Sequence, residues 1–191
     1  MERYLITGGA GFIGSNFIHY LLKKYQNCVV VNLDLLTYAG NLANLTDIEK
    51  DPRYEFVQGD INDQNLVQRV IEKNRIDIIV NFAAESHVDR SIVGPDIFFE
   101  TNTRGTLSLL KAAKNTKLRK FLQISTDEVY GSLGTNGYFT EQSPLLPSSP
   151  YSASKAAADM FVHGYYQTYG LDTNLNYSYF SLKDYFLLLS C

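Results

Sequence analysis

The stretch Tyr4-Leu5-Ile6-Thr7-Gly8-Gly9-Ala10-Gly11-Phe12-Ile13-Gly14 constrains this chain more than any other. A short apolar run ends in glycines. It then becomes a segment with Ile13, Phe17 and Leu21 at i, i+4 and i+8, and with Ile18 and Leu22 beside them. That order predicts a strand over 4–7, a tight turn, and a helix from Gly11 to about Tyr25. Gly8, Gly11 and Gly14 permit the turn, let backbone approach a pyrophosphate and allow close helix packing, while the helix N-terminus favours an anion. Taken alone, the spacing also fits a plain strand-to-helix turn. Asp34 adds weight, because it ends the next apolar strand 20 residues after Gly14. A carboxylate there accepts from both ribose hydroxyls and repels a 2′-phosphate, so NAD is expected rather than NADP.

The rest of the chain repeats this alternation. Cys28 to Leu33 reads as a buried strand, 42–49 as a helix-like stretch, and Tyr54 to Gln58 as an alternating strand stopped by Gly59-Asp60. Asp63 is placed to cap a helix running to about Lys73, with Leu66, Val67, Val70 and Ile71 on one face. A strand is expected over 76–82, a long helix over 97–116 with Leu107, Leu110 and Ala113 inward, a strand over 120–125, and a helix over 151–169. Strands alternating with helices predict an α/β fold, a doubly wound parallel sheet of Rossmann type, in one domain. The polar segments 8–14, 34–37, 60–61, 83–91 and 125–131 all follow strands and therefore converge on one edge of the sheet.

Composition narrows the function classes. The chain has 191 residues, 45% apolar and 19% charged, with a net charge of −3. No basic field points to nucleic acid or an anionic membrane. The two cysteines make neither a disulfide framework nor a metal-ligand spacing, and no metal is expected. Charged residues follow Met1 at once, and no apolar run reaches membrane-spanning length, so a cytoplasmic protein is expected.

Three further segments carry chemistry. Tyr151 and Lys155 lie four apart on a helix and share a face, so a lysine ammonium is positioned to stabilise a tyrosinate and lower the tyrosine's pKa. An exposed amphipathic pair has the same spacing. Thr126-Asp127-Glu128 follows the fifth strand: the hydroxyl is suited to a substrate hydroxyl, and two adjacent carboxyl groups are suited to dividing acid and base work. A solvated acidic turn would read the same. Ala83 to Ser91 follows the fourth strand, with small alanines beside a cofactor path and Ser86 and His87 beyond them. Asp60 and Ile61 after the third strand suit an adenine, or, for Asp60, a helix cap.

On these motifs, together with Leu36 to Asn41 and Thr101-Asn102, the chain resembles the extended short-chain dehydrogenase/reductase superfamily and, within it, the dTDP-glucose 4,6-dehydratase family, over about residues 3–175. The Thr126-Asp127-Glu128 triplet separates that family from the sugar epimerases. The resemblance implies a lyase acting on a nucleotide sugar with tightly held NAD, in nucleotide-sugar and deoxysugar metabolism. It implies that Tyr151, helped by Thr126, removes the 4-hydroxyl proton as NAD+ is reduced. Glu128 then takes the C5 proton, Asp127 protonates the leaving C6 hydroxyl, and NAD is regenerated. The implied cofactor contacts are Gly8, Gly11, Phe12, Ile13, Gly14, Asp34, Leu35, Thr37, Asp60, Ile61, Ala83, Ala84, Ser86, Thr101, Tyr151 and Lys155; His87 and Thr126 are the implied substrate contacts. A homodimer through helices 97–116 and 151–169 is also implied.

The resemblance stops near Leu175. The family continues into a Ser-Asn-Asn-Tyr-Gly-Pro loop and a C-terminal substrate domain, whereas here an apolar tail with Tyr177, Tyr179, Phe180, Tyr185 and Phe186 runs to Cys191. The expectation is an NAD-binding domain over 1–176, an atypical tail over 177–191, and a missing substrate domain, from a shifted reading frame or early stop. Two alternatives to the dehydratase follow: a catalytically incomplete NAD-binding fragment, and a dehydratase or epimerase for another nucleotide sugar.

Overall fold

The structure, a computed structural model, describes residues 1–133 and 137–177. The sequence places six strands in parallel order β3-β2-β1-β4-β5-β6. β1 (Glu2–Thr7) lies between β2 (Cys28–Asp34) and β4 (Ile78–Asn81); β3 (Tyr54–Gln58) and β6 (Thr173–Asn176) form the edges, and β5 (Lys120–Ile124) pairs β4 with β6. The order reverses direction between β1 and β4. That is the switch point where sheets of this type leave a crevice outside the strand ends.

Strand periodicity sorts the core into two layers. Leu5, Val31, Leu33, Ile79 and Phe121 point to one face and pack with residues of α2 (Gln64–Asn74), α5 (Gly105–Asn115) and α6 (Pro150–Tyr169). Their neighbours Tyr4, Ile6, Val30, Ile78, Val80 and Leu122 point to the other face, where Phe17, Ile18, Leu21 and Leu22 of α1 (Phe12–Lys24) cover them together with Leu45. Helices cover both faces at the centre of the sheet, which is why β1, β2 and β4 are largely apolar, while the edge strands β3 and β6 are more polar and only partly buried.

Helix ends follow local chemistry. Asp63 caps α2 as expected, its Oδ1 accepting the Leu66 N–H at 2.9 Å. Ser149 and Ser152 form a reciprocal capping box at the start of α6, with Pro150 in its first turn, and Gly170 closes that helix in the left-handed conformation.

Several expectations change. The stretch 42–49 forms only a short 3-10 helix, Leu42–Leu45, in which Leu45 alone is buried. One apolar anchor does not hold a full helix against its ordering entropy. The strand expected over 76–82 is confined to Ile78–Asn81. The helix over 97–116 is present in three parts: α4 (Asp96–Phe98), a π-helical stretch Phe99–Arg104, and α5. α5 packs against both α2 and α6, so its buried face is wider than one stripe. Leu109 is fully buried beside Leu110 and Ala113, while Leu107 is only half-buried. A short helix, α3 (Val88–Val93), takes up part of the polar segment 83–91 that follows β4. No helix among the described residues is long and apolar enough to cross a membrane, and no His, Cys, Asp and Glu grouping among them suits a metal ion. The tail expectation lies outside the described residues from position 178 onward.

Candidate active site at the strand switch point

The glycine turn is shaped by crowding. Gly8 has φ +67°, a left-handed value, and a Cβ placed on it would lie 2.6 Å from the Ala83 nitrogen at the exit of β4. A Cβ on Gly14 would lie 2.4 Å from the Gly8 carbonyl oxygen. Only glycine satisfies both positions, so the backbone of the turn is pressed against the neighbouring strand exit and the first turn of α1. The loop after β2 wraps the same turn. Asp34, buried, accepts the Ala10 N–H at 2.9 Å through Oδ2 and the Leu36 N–H at 2.8 Å through Oδ1. The Ala10 carbonyl accepts from the Asn41 N–H at 3.0 Å and from the Asn44 side-chain amide at 3.1 Å. Each Asp34 oxygen keeps a further lone pair for a hydroxyl. The turn and the carboxylate fit a dinucleotide: space at Gly8 and Gly14 that a side chain would fill, and an acceptor at the end of β2.

Across the switch point, β5 ends in Ser125 and Thr126. Thr126 Oγ1 accepts the Glu128 N–H at 3.3 Å and so caps a 3-10 turn, Asp127–Tyr130. The same hydroxyl lies near enough to the Tyr151 phenol on α6 to favour its ionised form. The acid pair and the helix tyrosine, far apart in sequence, are therefore brought to one place through Thr126. Glu128 is exposed at the mouth of the site, and burial together with the charge of Asp127 pushes its carboxyl up. A raised carboxyl is the stronger base of such a pair.

Tyr151 overturns one expectation. Its phenol is pushed up to about 12, first by burial, then by the charges of Glu128, Asp127 and Asp159, while the Thr126 hydrogen bond acts the other way. Lys155 does not lower it. The lysine is buried, and its Nζ donates to the Ile124 carbonyl oxygen at 2.5 Å. Burial pushes that ammonium down, while the carboxylate of Asp159 pushes it up. In the chain as it stands, burial and three carboxylates hold Tyr151 as a protonated phenol.

The remaining residues divide. Phe12, Leu35, Thr37, Ser86 and His87 are exposed around the strand ends; Ile13, Ala83, Ala84 and Thr101 are half-buried there. His87 packs against Tyr38 with the rings tilted at 40° and their centroids 5.6 Å apart, and the Arg90 guanidinium lies 4.5 Å from the Tyr38 ring. Asp60 accepts the Asn62 N–H at 2.8 Å in a local turn, so Asp63, not Asp60, caps α2. Ile61 is buried in the core beside Gly105, which leaves little of it for a ring to pack on.

Several residues on which no role had been placed also organise the site. Thr7 Oγ1 donates to Asn81 Oδ1 at 2.5 Å, Asn81 Nδ2 donates to Gln123 Oε1 at 2.8 Å and to Thr106 Oγ1 at 3.2 Å, and Thr106 donates to the Asn102 carbonyl at 2.7 Å. This buried network ties β1, β4 and β5 together just beneath the site. Asn102, in the π-helical stretch, continues it: its side chain holds both the N–H and the C=O of Glu85 and donates to Ser154 Oγ at 2.9 Å. It fastens the β4 exit loop to α6. Asp159 is the third member of the series 151, 155, 159. Its i, i+4 repeat was visible in sequence, but its burial was not.

Comparison with known proteins agrees with this geometry. The family model described as GDP-mannose 4,6 dehydratase matches residues 5–181. A dTDP-glucose 4,6-dehydratase of Xanthomonas campestris pv. campestris is 51% identical over 180 residues, covering 90% of this chain and 51% of that protein. Among solved structures, the Bacillus anthracis dTDP-glucose 4,6-dehydratase in complex with NAD superposes with a TM-score of 0.84 at 49% identity, over 92% of this chain and 54% of that one. The Thermus thermophilus UDP-glucose 4-epimerase in complex with NAD gives 0.82 at 34% identity, over 91% and 53%. The chain spans about half the length of the relatives it matches. With the family model covering most of its length and the switch-point site in place, the chain belongs to the GDP-mannose 4,6 dehydratase family.

Proposed function

We propose that this chain provides the NAD-binding and acid–base half of a nucleotide-sugar dehydratase that converts dTDP-glucose to dTDP-4-keto-6-deoxyglucose. The observation that carries the reading is the meeting of Thr126, Asp127 and Glu128 with Tyr151 opposite the Gly8–Gly14 turn. Relatives that are about half identical over this segment bear that activity's name, and one was solved with NAD. Gly8, Gly11 and Gly14 with Phe12 and Ile13 would hold the pyrophosphate. Asp34, Leu35 and Thr37 would hold the adenosine ribose, Asp60 and Ile61 would lie toward the adenine, and Ala83, Ala84, Ser86, Thr101 and Lys155 would line the rest of the path. When bound, NAD supplies a redox centre that accepts and returns two electrons within one turnover.

The chain's own groups supply the proton chemistry. Tyr151, protonated in the chain alone, would act on a sugar hydroxyl as a phenolate, a form that the positive charge of a bound oxidised nicotinamide would favour, with Thr126 Oγ1 beside that hydroxyl and the phenol. Glu128, the raised carboxyl, removes a carbon-bound proton made acidic by an adjacent keto group. Asp127 hands a proton to the departing hydroxyl. His87, exposed beyond β4, contacts the substrate. The epimerase reading lacks a use for two adjacent carboxyl groups. A homodimer is proposed through 97–116 and 151–169, supported by exposed Ile97, Phe99, Met160 and Phe161 on those segments.

Incubation with dTDP-glucose, followed by the alkaline absorbance of the 4-keto sugar, tests the reading beside a calorimetric titration with NAD. Product formation together with NAD binding is expected. NAD binding without product assigns the chain a cofactor-binding role only, and no NAD binding removes the proposal.

A further inference from the structure

Lys155 is an unusual cation. It is 4% exposed, and among the described residues its three N–H donors meet a single acceptor, the Ile124 carbonyl. A buried ammonium with so few partners tends to lose its proton. One turn further along α6 lies Asp159, fully buried, at 0% exposure. Its Oδ2 accepts the Ser125 hydroxyl at 2.5 Å, and its Oδ1 has no hydrogen-bond partner among the described residues. A carboxylate so enclosed is costly unless a cation offsets it. Lys155 is the buried cation at hand, and each group's charge supports the other's. Ser125 sits immediately before Thr126. The carboxylate therefore touches the strand end that carries the Thr126-Asp127-Glu128 turn, one helical turn beyond Lys155 on the helix that also carries Tyr151.

We propose that Asp159 is a positioning residue for the site: its buried carboxylate keeps Lys155 in the ammonium form at the end of β5, and through Ser125 it locks the acid-pair turn against α6. The proposal rests on the reading of Lys155 as a cofactor-side lysine only for its consequence, since the charge coupling is a property of the chain itself. A neutral Lys155 could not donate all of its hydrogen bonds to a ribose. The titratable groups facing Asp159 are Lys155 and Tyr151 on its own helix, Tyr130 at the end of the 3-10 turn, and Tyr177 beyond β6. Lys155 is the only cation among them, so changes at Asp159 are read there first.

The test follows the Lys155 side chain by NMR, through its 13Cε shift against pH in the cofactor-free chain, with Lys155→Met used to assign the signal. In the unaltered chain the Lys155 signal should show a second inflection on the acid side, near pH 6, as Asp159 takes up its proton. In Asp159→Asn the main Lys155 midpoint should fall by about one unit or more, and Asp159→Glu should restore it in part. A midpoint unmoved in Asp159→Asn, with or without loss of thermal stability, overturns the proposal, because a merely structural carboxylate leaves the lysine where it was. If Asp159→Asn does not fold, the inflection in the unaltered chain decides: its absence overturns the proposal. Failure of the unaltered chain to bind NAD counts against the cofactor reading and leaves this titration intact as the judge of Asp159.

Discussion

The glycine turn after β1 and the Thr126–Tyr151 side of α6 face the same strand ends, yet they are held by different physics. The turn is a backbone device. Gly8 and Gly14 are fixed by how closely other backbone approaches, and Asp34 serves it by accepting two main-chain N–H groups. The α6 side is an electrostatic device. Its Tyr151, Lys155 and Asp159 are buried titratable groups: Lys155 and Asp159 depend on each other, and Tyr151 depends on Asp159 and on the Asp127–Glu128 pair. The difference predicts how each side fails. A backbone device fails through shape and at every pH; an electrostatic one fails through charge and within a pH window.

The sharpest way to break the comparison is at Gly8. Gly8→Ala forces a side chain into a left-handed residue and to within 2.6 Å of backbone. We expect about 3 kcal/mol of lost stability in urea unfolding, with no pH dependence between 5 and 9, and loss of NAD binding. Tyr54 and the other β3 residues serve as distant reporters that the loss is local to the β1–β4 crossing.

Next in size is Asp159. Its carboxyl is pushed up to about 6 by burial, above the ~4 of an unfolded chain. Between those values the folded state holds a proton that the unfolded state has released. This group's contribution to stability is therefore fully present below pH ~4 and declines as pH rises through about 6, by about 2 to 3 kcal/mol in all. Denaturant titrations across that range should show the slope in the unaltered chain and not in Asp159→Asn.

Asp34→Ala should cost about 2 kcal/mol, because the N–H groups of Ala10 and Leu36 lose their buried acceptor. It should also erase the preference for NAD over NADP in competition binding. If stability falls but the preference survives, Asp34 is structural only, and the two-device picture loses its ribose contact.

At the small end, Lys73→Ala removes the exposed 2.9 Å pair with Glu55 on the far side of α2. A change below about 0.5 kcal/mol, independent of NAD, is expected from thermal unfolding. A larger effect would mean that surface charge, not the site, carries much of the electrostatics.

The two sides also differed in how well they could be read from sequence. The glycine turn, Asp34, Asp63 and the apolar strands are local signals, and each of these elements lies where the residues predicted it, to within a residue or two. The π-helical stretch at Phe99–Arg104 has no sequence signature of its own. It carries Asn102, whose clamp on Glu85 and Ser154 depends on three segments meeting. The pKa of Tyr151 was read in the wrong direction for the same reason. The i, i+4 spacing to Lys155 was plain in the sequence, but the burial of both groups and the turning of the lysine to Ile124 are properties of packing. Shape determined by a single residue type is legible; charge states set by a neighbourhood are not.

The most direct measurement is a 15N–1H correlation titration of this chain with NAD, with backbone amides assigned. Saturable shifts are expected at Gly9 to Gly14, at Leu35 and Leu36, and at the Ala83–Ala84 exit of β4, with smaller ones around Tyr151 and Lys155. Shifts that spare the glycine turn, or no shifts at millimolar NAD, would contradict NAD binding at that turn.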